Sequence, residues 1–113
     1  MPTPVNVLVI FCSNGELTEQ LALAAAVGAV QARANIRIRR LPANDEEPAG
    51  LNEPLARMQH EYVPPTPADA IWADAVIIGM NDKIAGLPIE PGAATAYGHQ
   101  VAADVRAIKK HPA

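Results

Sequence analysis

The sequence predicts an α/β domain, residues 1–113, built on a parallel sheet of about three strands in the order 2-1-3. Two runs, Val5–Phe11 and Ala75–Met80, are short, uncharged and rich in branched aliphatic residues. Such runs are typical of strands buried on both faces of a parallel sheet. Helical or irregular crossovers separate the predicted strands, and such connections are right-handed. A chain of 113 residues is long enough for one domain with one core.

A helix is predicted directly after the first strand, over Leu17–Ala34. Its apolar residues recur every three or four positions and form one face. That face consists of Leu21, Ala25, Gly28 and Ala32. Because most of these side chains are small, we expect the helix axis to lie close against the sheet.

The turn that joins this strand and helix, Cys12–Glu16, has two interpretations. A strand, a tight polar turn and a helix together point free backbone N–H groups at an anion, so the turn is a candidate phosphate cradle. The cradle residues are Ser13, Asn14, Gly15 and Thr18. Alternatively, Ser13 and Glu16 form a capping box with nothing bound. The spacing alone favours the cap, because every helix that follows a strand needs one.

The second strand is predicted over Ile36–Leu41, where apolar and basic residues alternate. A period of two indicates a half-exposed strand at a sheet edge, with Arg37 and Arg39 facing water. Asn35 before it is the expected stop of the first helix.

The segment before the third strand is irregular and rich in proline. One or two helical turns are expected within Leu51–Tyr62, around Leu55 and Met58. A further short turn is expected over Ala68–Trp72, capped by Thr66 or Asp69.

The third strand is followed by a second polar turn, Asn81–Gly86, and then by a helix over Ala93–Lys110. The apolar face of this helix is Ala94, Tyr97, Val101, Val105 and Ile108. The order 2-1-3 brings the two polar turns side by side at the carboxyl ends of the strands. Ligands of open α/β sheets bind at this end, so a ligand site is expected there.

Charge and cysteine content limit the class of protein. The formal net charge of −3 gives no reason to expect nucleic-acid or anionic-membrane partners. One cysteine excludes an intrachain disulfide and a cysteine-based metal site, which fits a cytoplasmic location. No apolar run approaches the roughly 20 residues of a membrane span.

Most of the chain resembles flavodoxin-like proteins. The segments Val7–Ser13 and Thr18–Ala22 are similar to the first strand and phosphate loop of that family. Ala73–Gly79 is similar to its third strand, and Tyr97–Ala102 to its last helix. Within the family, the resemblance is to the tryptophan-repressor-binding-protein group of FMN-dependent NAD(P)H:quinone oxidoreductases.

The resemblance implies FMN as cofactor, with electrons passing through the flavin from NAD(P)H to a quinone. The first turn would hold the FMN phosphate, through Ser13, Asn14, Gly15, Leu17 and Thr18. The second loop, typically P-T-R-F-G in the family, would lie against the flavin ring. It corresponds here to Asn81, Asp82, Lys83, Ile84 and Ala85. Because the flavin performs the redox chemistry, no catalytic side chain and no metal ligand is assigned.

Two features depart from the family. Glu16 stands where a glycine is usual, and Gly15 is shifted by one position. A carboxylate 4 Å from a phosphate costs about 1 kcal/mol in water for each pair of charges, and more where water is excluded. The fourth and fifth strands of the family are also missing. The expected fold is therefore a truncated flavodoxin-like three-layer sandwich.

The missing half exposes the third strand as a sheet edge, and the flavin site loses one wall. A flat apolar edge is rarely left uncovered, so we expect a homodimer or higher homo-oligomer through Val76–Met80. The alternative function is a degenerate, non-catalytic module that acts in oligomerisation or partner binding and has lost FMN.

Overall fold

Three parallel strands form the centre of the structure, a computed structural model that describes residues 4–12, 16–42, 55–87 and 89–110. The sheet has the order β2-β1-β3-β4. The elements in chain order are β1 (Asn6–Cys12), α1 (Glu16–Gln31), β2 (Asn35–Arg40), α2 (Leu55–Glu61), α3 (Pro67–Trp72), β3 (Ala75–Met80), β4 (Lys83–Ile84) and α4 (Pro91–Lys110).

The α/β class and the order 2-1-3 of the parallel strands are confirmed. β1 pairs in parallel with β2 on one side and with β3 on the other. The fourth strand was not predicted, and it makes the sheet mixed, because β4 runs antiparallel to β3. β4 is only two residues long, so no hydrophobic period marks it in the sequence.

The core lies on one face of the sheet, beneath α1 and α4. Val7, Val9 and Phe11 of β1 are fully buried there, beside Ile77 of β3. The predicted apolar face of α1 is buried against them, as expected from its spacing.

Helix α1 packs against the sheet as expected, and it also makes an unpredicted close contact with α4. A Cβ added to Gly98 would lie 2.7 Å from the carbonyl carbon of Ala25 and closer still to its oxygen. A Cβ added to Gly28 would lie 2.8 Å from the backbone nitrogen of His99. The two helices therefore touch backbone to backbone, and only glycine fits at these two positions.

This crossing also changes the predicted face of α4. The buried residues are Ala94, Gly98 and Ala102, a stripe with a spacing of four. Ile108, predicted to be apolar and buried, is 68% exposed. The rest of the predicted face packs against the core, since Ala94 is buried and Tyr97, Val101 and Val105 are partly buried there. Gly98 and Ala102, which were not predicted, complete the contact with α1.

The opposite face of the sheet carries α3 against β2. The carboxylate of Asp69 accepts hydrogen bonds from Arg37 and Arg39 at 3.0–3.2 Å. Arg37 also lies over the ring of Trp72, 4.3 Å from its centroid. The prediction that both arginines face water is wrong, because Asp69 is a partner 30 or more residues away in the chain.

The predicted cap of α3 is confirmed. Thr66 is its N-cap and forms a capping box with Asp69. The helical turns around Met58 are confirmed as α2, and Met58 is fully buried.

The first helix ends at Gln31, four residues before the predicted stop at Asn35. Arg33 adopts a positive φ of 65°. The N–H of Ala34 donates to the carbonyl of Ala29, and the N–H of Arg33 donates to that of Val30. These two bonds form a Schellman motif with Arg33 in the left-handed position. Asn35 is instead the first residue of β2.

The outer side of β3 is covered in part. Gly79 and Met80 pair with β4, so the prediction that all of β3 is an edge is wrong for these two residues. In the described part of the chain, residues 75–77 have no strand partner on that side. On the face of the sheet away from α1, Val76, Ile78 and Met80 are 46%, 50% and 45% exposed.

Candidate functional site

The end of β1, the start of α1 and the turn after β3 lie at the carboxyl edge of the parallel strands. In the parallel ladder, Cys12 at the end of β1 is level with Met80 at the end of β3. The first described residue of α1 and the turn after β3 therefore lie at the same edge of the sheet. This is the location expected for a ligand site.

The turn after β3 is a two-residue hairpin. Met80 pairs with Lys83, and Asn81 and Asp82 between them have positive φ values of 53° and 59°. Two successive left-handed residues define a type I′ turn, which asparagine and aspartate tolerate better than most residues. The hairpin folds Asp82 back toward the start of α1.

Asp82 forms two hydrogen bonds with Thr18. The Thr18 hydroxyl donates to the Asp82 carboxylate at 2.9 Å, and the backbone N–H of Asp82 donates to the hydroxyl oxygen at 2.8 Å. Thr18 is fully buried, whereas Asp82 is exposed. The single proton of the hydroxyl is thus already used by a carboxylate of the chain itself.

A pocket of about 450 Å³ opens on the face of the sheet away from α1, between β3 and this hairpin. Its lining is mostly apolar, and its residues are Ile78, Met80, Asn81, Lys83, Ala85 and Gly86. The exposed side chains of β3 form one wall, and the hairpin forms the other. Lys83 is the one cationic residue of this lining.

A buried carboxylate lies one residue beyond Thr18. Glu19 accepts hydrogen bonds from Arg57 at 2.6 and 2.8 Å and from the Tyr62 hydroxyl at 2.7 Å. The hydrogen bonds from Arg57 lower the pKa of Glu19, and burial raises the pKa of Tyr62. The ring of Tyr62 packs edge-on against Phe11, with centroids 4.9 Å apart. This cluster ties α2 to the first turn of α1, and sequence reasoning missed it.

The predicted site residues are distributed as follows. Ser13, Asn14 and Gly15 lie outside the described residues. Leu17 is exposed, and Thr18 is buried against Asp82.

On the second turn, Asn81, Asp82 and Lys83 are exposed around the pocket. Ile84 is fully buried beneath Gly79 and does not line the pocket. Ile78 and Met80 were not predicted as site residues. Their alternation along β3 was the available signal, because it places them on one face.

The described residues fit one part of FMN and not the other. An apolar pocket beside a lysine suits an aromatic ring system with polar edges. The Thr18 position does not suit a dianionic phosphate, because the carboxylate of Asp82 already accepts the hydroxyl proton there. Glu16, the exposed first residue of α1, adds a second negative charge at this end of the helix.

A second groove, of about 430 Å³, lies between α1 and β2. Its lining is Leu23, Ala26, Val27, Val30, Gln31, Ile36 and Ile38. It is almost wholly apolar, with Gln31 as the one polar residue of this lining, so it offers little to orient a ligand.

Comparison with known proteins assigns no family: the sequence matches no known family model, and no curated protein is significantly similar to it. Within the described ranges, none of the helices combines the length and the apolar character that crossing a bilayer requires.

Proposed function

We propose that this chain is a flavin-binding, flavodoxin-like module related to the FMN-dependent NAD(P)H:quinone oxidoreductases, with electron transfer through the flavin. The observation that carries the proposal is the apolar pocket between the exposed side chains at the carboxyl end of β3 and the hairpin that follows. A reducing, cytoplasmic location is part of the proposal, since the chain has a single cysteine.

The topology supports the flavodoxin-like part of the proposal. The parallel strands have the order 2-1-3, α1 and α4 cover one face, and α3 lies on the other. This arrangement is what a three-layer flavodoxin-like sandwich retains when its fourth and fifth strands are removed.

The roles of the residues follow from the pocket. Ile78, Met80 and Ala85 would contact the flat ring, and Lys83 would lie near its polar edge. A bound flavin would itself supply the redox chemistry, taking hydride from NAD(P)H and reducing a quinone, while the chain positions it. No side chain is required as a catalytic acid or base.

Fluorescence anisotropy of riboflavin and of FMN tests the proposal. The pocket lining contains no aromatic residue, so anisotropy reports binding more directly than quenching does. We expect saturable binding of at least one flavin. Met80→Ala should weaken it about fivefold, since roughly 1 kcal/mol of apolar contact is lost. The matched control is Val27→Ala, which is similarly exposed but lies in the second groove. Equal loss in both variants, or no binding at all, would overturn the proposal.

A second candidate function is a non-catalytic module that associates with a second copy through β3. The exposure of Val76, Ile78 and Met80 favours it, because these side chains form a continuous apolar strip beside a partly unpaired strand. A second copy seated there would also supply the missing wall of the pocket.

Sedimentation equilibrium separates this candidate from the first. We expect dimers that Val76→Lys disrupts and that Val27→Lys, on α1, leaves intact. A wild-type chain that remains monomeric at millimolar concentration would rule out self-association.

A further inference from the structure

We propose that the outer edge of β2, with the second groove beside it, binds an extended segment of another protein in which apolar and acidic residues alternate. The segment would add a strand to the sheet at the edge opposite β4. This inference goes beyond the proposed function and does not depend on it.

The backbone of β2 has unpaired groups along this edge. The N–H groups of Asn35 and Leu41 donate to carbonyls on the β1 side, and alternate residues of a strand face the same neighbour. Ile36 and Ile38 therefore turn their N–H and C=O groups outward. In the part of the chain that the structure describes, no strand lies on this outer side. Among these outward groups, the Ile38 carbonyl alone has a partner, the side chain of the next residue at 2.9 Å.

The carboxyl end of the same edge is already paired with an extended segment of the chain itself. The N–H of Arg40 donates to the carbonyl of Val63 at 3.0 Å, in the irregular stretch before α3. This bond agrees with the outward direction of the even-numbered residues of β2. The edge therefore accepts main-chain partners, and the groups nearer its start remain open to an added strand.

The second groove supplies contacts for every second side chain of such a strand. Ile36 and Ile38 line it from β2, and Val27 and Val30 line it from α1, where each of these valines is 51% exposed. Successive side chains of a strand point to opposite faces, so alternate residues of the added segment would lie over this groove. Apolar residues at these positions would cover the exposed valines.

The charge on the opposite face of β2 defines the residues in between. Arg37 and Arg39 share the single carboxylate of Asp69, and their side chains remain 36% and 24% exposed. Two positive charges against one negative charge leave an excess of one. The intervening side chains of an added strand would lie beside these arginines, where opposite charges attract across strands. An alternation of apolar and acidic residues thus fits both faces.

The same charges argue against a second copy of this chain at the edge. Two β2 strands paired antiparallel about a two-fold axis would place Arg37 and Arg39 of both copies on one face of the joined sheet. Like charges in neighbouring strands are destabilising. The observations therefore favour a partner of different sequence.

Fluorescence anisotropy of two labelled, end-blocked peptides, Val-Glu-Val-Glu-Val and Val-Lys-Val-Lys-Val, tests the proposal. We expect saturable binding of the glutamate peptide with a Kd below about 1 mM, and at least about fivefold weaker binding of the lysine peptide. The net charge of −3 attracts the lysine peptide overall, so the opposite preference must come from the local arginines.

A double variant, Val27→Gln with Val30→Gln, tests the groove without changing its charge. It should weaken binding of the glutamate peptide at least about fivefold, because apolar contacts are lost. The matched control is Ile71→Gln with Ile108→Gln, which replaces two exposed apolar side chains of α3 and α4 and should leave the affinity unchanged.

Methylation of the peptide nitrogens tests the backbone pairing. Successive N–H groups of a strand point in opposite directions, so either the valine set or the glutamate set faces β2. Methylating one set should abolish binding, and methylating the other should preserve it.

Charged side chains on an edge also have a purely protective explanation, in which they prevent strand addition. Absence of saturable binding of the glutamate peptide up to about 1 mM would support that explanation and overturn the proposal. Equal affinities for the two charged peptides, equal losses in the two double variants, or the same effect of both methylations would also overturn it. So would wild-type dimers in sedimentation equilibrium that the Val27→Gln, Val30→Gln variant disrupts, because a second copy would then occupy this edge.

Discussion

The contact between α1 and α4 can be tested at a single atom, by Gly98→Ala. The added Cβ would lie 2.7 and 2.9 Å from the carbonyl carbon and Cα of Ala25. Ordinary carbon–carbon contacts are about 3.5–4.0 Å, so the helices must separate by roughly 1 Å. Backbone atoms on both sides leave no flexible side chain to move aside.

The expected net loss of stability is about 2 kcal/mol. Overpacking costs about 1–3 kcal/mol, and a backbone-to-backbone clash belongs at the upper end of that range. Alanine is the better helix former by about 1 kcal/mol, which offsets part of the cost. For a domain of this size the loss corresponds to a fall in Tm of roughly 8 °C.

Urea denaturation and calorimetry measure this loss. Gly92→Ala is the matched control, because it lies in the same helix and an added Cβ there meets nothing within 4 Å. The control should be as stable as the wild type or slightly more so. If Gly98→Ala matches the control, the close approach of the two helices is refuted.

Three further predictions concern single side chains. The backbone N–H of Thr66, with two arginines, lowers the pKa of Asp69 from 3.8 to about 2. Its contribution to stability is therefore complete above about pH 4 and is lost as the pH falls toward 2. The difference in Tm between wild type and Asp69→Asn should therefore shrink as the pH is lowered from about 4 to 2. A difference that stays constant over this pH range would contradict the prediction. Tyr62→Phe removes the hydrogen bond to Glu19 but keeps the ring, so chemical denaturation should show a loss of about 1 kcal/mol. Arg33 adopts a left-handed backbone, which costs a residue with a side chain about 1–2 kcal/mol, and Arg33→Gly removes this cost. Glycine also raises the entropy of the unfolded chain, which lowers stability by about 0.5–1 kcal/mol. A gain near 0.5 kcal/mol in urea is expected, and a loss would argue against the Schellman motif.

The sequence was sufficient to predict the three parallel strands and the two long helices. The β3 bounds Ala75–Met80 were predicted without error, because an apolar run flanked by polar residues defines its own ends. The apolar face of α1 was predicted from its spacing, and all four of its residues are buried. The contact of the same helix with α4 could not be predicted, since it depends on how α4 returns across the sheet.

Long-range polar pairs account for most of the remaining differences. Arg37 and Arg39 were predicted to face solvent, because their partner, Asp69, lies 30 or more residues away in the chain. The ion pair of Glu19 with Arg57, which lies on another helix, was not predicted. No local pattern encodes such pairs.

The sequence predicted that the start of α1 and the turn after β3 come close together, but not the contacts between them. Thr18 and Asp82 were both candidate residues, and the structure brings them into contact. That contact depends on the type I′ turn, for which the only signal is two polar residues, Asn81 and Asp82, after an apolar run. The burial of Ile84 follows from the same hairpin, which turns its side chain into the core.

A ¹H–¹⁵N correlation spectrum recorded during a riboflavin titration tests the proposed flavin site most directly, because it locates binding on the chain. The account predicts saturable changes in the amide signals of Met80, Asp82, Lys83 and Ala85, with little change along Val27 and Val30 of the second groove. Changes centred on that groove, or no changes at millimolar riboflavin, would contradict it.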